Sequence, residues 1–152
     1  MNAVERFVTS APVEVVWQLL ADVEHWQDWT PTILTITPLT DEGLRVGARY
    51  RVLQPGLQAA VYEVTHYIPN EAFTWVQKLP GGELIADHQV VARNGATEVQ
   101  LSFSSKGPSA HIAALLFSRK IRRNVATEAK NLKQRSEARS EAMMSQKLSS
   151  LD

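Results

Sequence analysis

Residues 10–31, SAPVEVVWQLLADVEHWQDWTP, decide the fold. Ser10 offers a hydroxyl N-cap, and Pro12 suits the first helical turn, where an N–H has no intrahelical partner. Glu14 then places negative charge near the positive end of the helix. Val15 or Val16, Leu19, Leu20 and Val23 recur at helical spacing and give one apolar face. Asp22 closes that run, and a second short helical turn with His25, Trp26 and Trp29 follows until Pro31 stops it. So short a helix cannot bury two tryptophans by itself, so they need a larger concave partner.

The flanking sequence can supply one. Residues 3–9 (AVERFVT) are rich in strand formers, and residues 32–40 (TILTITPLT) are dense in β-branched side chains, with Pro38 marking an edge or an end. Beyond the turn at 41–43, the alternation puts Tyr50, Val52 and Gln54 on one face and Arg49 and Arg51 on the other. Ala60, Tyr62 and Val64 continue the inner face, followed by Phe73, Trp75 and Gln77. Residues 83–93 alternate most clearly, with Leu84, Ala86, His88, Val90 and Ala92 together. Asn94-Gly95 is a two-residue hairpin signal, and its partner strand turns Val99, Leu101 and Phe103 inward. After Gly107-Pro108-Ser109 a long helix is expected to about residue 138. Its apolar sector holds Ala114, Phe117, Ile121, Val125 and Leu132. Arg119, Arg122, Arg123, Lys130 and Lys133 occupy the opposite, solvated face. Residues 141–152 are expected to fray or be disordered.

These elements predict an α+β domain over residues 1–140, with a curved seven-stranded antiparallel sheet wrapped around one long C-terminal helix and two short helices after the first strand. One helix is the only cover available for the sheet's apolar face. Small inward residues at Ala60, Ala86 and Ala92 would leave space beneath it.

Ser10, Pro12, Val16, Trp17, Leu20, Asp22, Trp26, Trp29 and Pro31 resemble, in order, the N-terminal signature of the START, polyketide cyclase-dehydrase and Bet v 1-like (SRPBCC) superfamily. The likeness continues through Val46-Gly47-Ala48-Arg49-Tyr50, Phe73-Thr74-Trp75 and the closing helix, and covers residues 1–140. It implies the helix-grip fold. Carriers, cyclases, hormone receptors and co-chaperone-like modules share that scaffold, so the resemblance implies no single activity.

At 152 residues, with sixteen basic and sixteen acidic side chains, the chain suits one domain without a global field toward nucleic acid or membrane. The absence of cysteine excludes disulfides and thiolate chemistry. No secretory signal or apolar run of membrane-spanning length is evident, so a cytoplasmic protein without stable membrane insertion is expected. The four histidines are widely spaced and no nucleotide or hydrolase motif occurs, so neither metal nor cofactor is expected. The oligomeric state stays open.

The ligand-contact candidates are Trp26, Trp29, Tyr50, Tyr62, Trp75, His88, Phe103, Phe117 and Ile121. Such rings either fill a core or line a cavity, with Trp29 near its mouth. His88 interrupts an apolar strand face. It is either a buried imidazole satisfied by a neighbour or a pocket group that orients a carbonyl or hydroxyl, or moves a proton. Glu128 falls in the apolar helix sector and either reaches solvent or turns inward. With Tyr50 and Tyr62, these two residues are the catalytic candidates. A carrier or binding protein for a small hydrophobic molecule, lipid-like or polyketide-like, is the first functional expectation. A cyclase, aromatase or dehydratase is the alternative, and a protein-interaction module using the outer surface is the third.

Overall fold

The computed structural model describes residues 2–151, so residues 1 and 152 of the expected domain and tail lie outside the described residues. Strand β1 (Asn2–Thr9) leads into α1 (Val13–Ala21) and a 3-10 helix (Val23–Asp28). Strands β2 (Thr35–Pro38), β3 (Arg49–Leu53), β4 (Ala60–Ile68), β5 (Ala72–Leu79), β6 (Gly82–Arg93) and β7 (Ala96–Lys106) follow. They form one seven-stranded antiparallel sheet in the order β1-β7-β6-β5-β4-β3-β2. A register shift between Val64 and His66 interrupts the β4–β5 ladder. Asn94 and Gly95 both adopt positive φ, 48° and 80°, as the two-residue turn between β6 and β7 requires.

Inward and outward residues separate along the sheet. Tyr50, Val52, Val64, Phe73, Trp75, Val90, Val99 and Leu101 are buried, while Arg49 and Arg51 are exposed. Ala92 differs from its expected inward place. It is exposed one residue before the hairpin turn, where the inner face has lost its cover. The start of α1 also differs. Ser10 is exposed and makes no capping bond, and Pro12 holds the N-cap position. The Pro12 carbonyl accepts from the amides of Val15 (3.1 Å) and Val16 (3.2 Å). The Thr9 hydroxyl accepts from the Ala11 amide at 3.2 Å.

The C-terminal helix is two helices. Segment α2 (Pro108–Leu116) ends at Phe117, whose φ of −107° leaves the helical basin, and α3 (Ser118–Ser149) restarts immediately. Ala110 and Ala114 of α2 are fully buried, and a Cβ on Gly82 would sit 2.8 Å from the Cβ of Ala110. The break at Phe117 separates α2, which packs on β6 and β7, from α3, which packs on β1, α1 and β7. Val125, Ala129, Leu132 and Ser136 form the buried stripe of α3. Thr9 donates to Glu137 at 2.7 Å and ties the helix to β1. The helix also continues past the expected end near 138. Residues 109–152 contain neither glycine nor proline, and Glu141, Ala142, Met143, Met144, Gln146 and Lys147 favour helix without packing. Side chains 141–151 are all exposed.

Candidate functional site

A cavity of about 430 Å³ lies between the inner face of the sheet and the α2–α3 bend. Its walls follow from the strand alternation. β4 contributes Ala60 and Tyr62, β5 Trp75 and Gln77, β6 Leu84, Ala86 and His88, and β7 Leu101 and Phe103. Phe117, Ile121, Val125 and Glu128 close the helical side, and Trp26 closes one end. Gly56, Gln58 and Phe117 line the cavity while being exposed themselves, so they mark its opening. Lys120 spans that opening, donating from Nζ to the carbonyl of Pro55.

The rings both pack and line. Trp75 lies 5.4 Å from Trp26, 5.5 Å from Phe73 and 5.3 Å from Tyr62, centroid to centroid. Trp26 donates its indole N–H to the Leu20 carbonyl at 3.0 Å, which fixes the 3-10 helix against α1.

Two candidates lie elsewhere. Trp29 packs on Trp26 at 5.5 Å and lines a separate groove of about 190 Å³ with Leu19, Arg135 and Arg139. Three residues per 3-10 turn place Trp29 above Trp26 on one face, so only the first reaches the large cavity. Tyr50 is buried against Trp75 at 6.0 Å but does not line the cavity. Burial raises its phenol's pKa, and Glu24 adds to the rise while Arg45 opposes it.

His88 combines both of its expected environments. Its ring stacks on Phe73 at 4.1 Å and 16°, and its Nδ1 lies 3.0 Å from the Phe73 carbonyl. A carbonyl only accepts, so Nδ1 carries the proton and Nε2 keeps a lone pair. Burial lowers the pKa to about 4, against opposing effects of that hydrogen bond and the charge of Asp87, so the imidazole is neutral at pH 7.

Glu128 turns inward from α3. Thr32 donates to its Oε1 at 2.8 Å, and Thr30 stands 2.9 Å behind Thr32. Burial raises the carboxyl to about 7, and the Thr32 bond partly offsets this. Burial also pushes the Tyr62 phenol up, with the charge of Glu128 adding to the effect. A carboxyl that titrates near neutrality, a neutral imidazole and a protonated phenol therefore face one mostly apolar space. Among the described residues no three His, Asp or Glu gather as a metal site.

Gln77, Asn124, Lys120 and Thr32 were not singled out from sequence. Gln77 shares the Phe73–Trp75 strand face, and Asn124 stands at helical spacing from Ile121 and Glu128, so their periodicity carried a signal. Thr32 had none, being 96 residues from the carboxylate it holds.

A curved sheet gripping a helix over such a cavity defines the class of helix-grip proteins. The chain belongs to the polyketide cyclase / dehydrase and lipid transport family, whose model matches residues 2–137. Among solved structures it is similar to a hypothetical protein from Helicobacter pylori, with a TM-score of 0.76 and 15% identity, over 90% of this chain and 88% of that one. The di-domain ARO/CYC protein BexL from the BE-7585A biosynthetic pathway gives a TM-score of 0.68 and 18% identity, over 90% of this chain and 46% of BexL. The Aha1 dimer from Colwellia psychrerythraea gives 0.66 and 21%, over 90% and 96%. These likenesses are likenesses of fold. No curated protein matches the chain. Among the described residues no helix is long and apolar enough to cross a membrane.

Proposed function

We propose that the chain binds a small, largely apolar organic molecule in the cavity beneath α3, as a carrier or binding protein. The observation that carries this reading is an open space of about 430 Å³ walled mainly by Trp75, Phe103, Ile121, Leu84 and Leu101. A flat or branched hydrophobe buries its surface there, while Tyr62, Gln77 and Asn124 offer orienting hydrogen bonds. The family's range, from polyketide chemistry to lipid transport, supports that ligand class.

The second reading is an enzyme of the cyclase or dehydratase kind. It is favoured by Glu128, Tyr62 and His88 sharing the cavity, because Glu128 can give a proton near pH 7 and Nε2 of His88 can accept one.

The test is titration with aromatic polyketides, sterols and fatty acids, read by tryptophan fluorescence and calorimetry, with mass spectrometry for loss of water. Trp75→Leu should weaken binding by about 1 kcal/mol or more with the fold retained. His88→Asn keeps a donor for the Phe73 carbonyl but removes Nε2. A carrier should tolerate it, whereas an enzyme should lose turnover by roughly a hundredfold or more while still binding. No binding by any of these compounds would end both readings.

We also propose that the binding unit ends near residue 140, because the family match stops at 137 and the later side chains are exposed. Removing residues 141–152 should leave titration and melting curves unchanged. A loss of affinity would show that Met143, Met144 or Leu148 takes part.

A further inference from the structure

Helix α2 wears its apolar residues on the wrong side for a core helix. Its docked face is Ala110 and Ala114, both fully buried, whereas Ile112, Leu115 and Leu116 are 60%, 67% and 76% exposed. At 100° per residue these three fall within one sector opposite the alanines, so they form a continuous outward ridge. Phe117, next in the chain and 46% exposed, falls on the alanine side and stands at the cavity opening.

The charge that flanks the ridge along the chain has one sign. Residues 99–127 contain Lys106, Arg119, Lys120, Arg122 and Arg123 and no aspartate or glutamate, although the whole chain is balanced at sixteen against sixteen. Arg119, Arg122 and Arg123 are exposed and begin three residues beyond Leu116. The ion pairs among the described residues, Asp22–His25, Glu42–Arg45 and Glu98–Arg93, include none of them.

We infer that this surface docks on an anionic lipid bilayer, with Ile112, Leu115 and Leu116 entering the interface and the three arginines meeting the headgroups. An aliphatic ridge beside a cationic cluster suits that partner on both counts. A second copy of the chain suits it poorly, because a two-fold contact through the ridge would gather both sets of arginines around one patch. The same placement sets the cavity opening against the bilayer. This surface goes beyond a merely solvated basic face and does not depend on what fills the cavity.

The experiment is co-sedimentation of the full chain with phosphatidylcholine vesicles, with and without about one third phosphatidylglycerol, at low and high salt. Binding to the anionic vesicles alone, weakened by salt, is expected. Reversing the charge at Arg119, Arg122 and Arg123 together should weaken partitioning roughly a hundredfold or more, and Leu115→Ser with Leu116→Ser about tenfold or more. Circular dichroism checks that both variants are folded. The inference is overturned if wild type ignores anionic vesicles, or if both folded variants bind as wild type does. It is equally overturned if light scattering shows a dimer that the leucine variant dissociates while vesicles capture nothing.

Discussion

Leu132→Asp is expected to lower the melting temperature by about 10 °C or more, through loss of several kcal/mol. Leu132 is fully buried in the stripe that presses α3 onto β1 and α1. A carboxylate there leaves water without a partner, and a domain of this size has only about 5 to 15 kcal/mol to lose. Arg123→Asp changes an exposed side chain on the same helix and should shift stability by no more than about 0.5 kcal/mol. Thermal melts of the two variants beside wild type make the comparison, and equal curves would refute the assigned face of α3.

The second large effect is hidden in wild type. Glu128 is raised from 4.5 to about 7, so between those values the folded chain keeps a proton that the unfolded chain has lost. Its contribution to stability therefore falls as pH rises through that range. His88 is lowered from 6.5 to about 4, so there the unfolded chain binds the extra proton and the contribution rises with pH. The two slopes oppose each other between about 4.5 and 6.5, each worth at most about 3 kcal/mol, less whatever water in the cavity screens. Glu128→Gln should unmask a rise in stability up to pH 6.5, and His88→Asn a fall that continues to pH 7. Urea unfolding at half-unit pH steps measures both. A Glu128→Gln profile superimposed on wild type would mean that the carboxyl is not desolvated.

What could be read from sequence follows from what periodicity encodes. Alternation assigns a face, so Leu84, Ala86, Trp75 and Phe103 were placed inward correctly, and Asn94-Gly95 located its hairpin through backbone chemistry alone. Periodicity does not encode depth along an element. Trp26 and Trp29 share one face, yet only Trp26 reaches the cavity, and alternation equally does not tell Tyr62, which lines it, from Tyr50, its partner across the β3–β4 pair. The break at Phe117 was hidden for a related reason. Ala114, Phe117 and Ile121 continue a single helical stripe, and only the off-stripe Ile112, Leu115 and Leu116 signal that α2 has another orientation. Glu128 was legible as a carboxylate in an apolar sector. Its donor Thr32 is set by tertiary packing, which local pattern does not contain.

The pairing of β1 with β7 has a consequence for how the chain is made. Asn2 meets Ser104 and Thr9 meets Thr97, so β1, made before the other six strands of the sheet, has no partner in it until about a hundred residues have followed. At about 5 to 20 residues per second, that is on the order of ten seconds with Val4, Phe7 and Val8 unpaired. The loop that closes is the longest in the sheet, and its entropy is repaid only when β7 arrives. Refolding in the test tube should then be limited by this late closure, as in other sheets dominated by distant contacts. Glu5 and Arg6 on the waiting strand carry opposite charges that discourage it from adding to a neighbouring nascent chain.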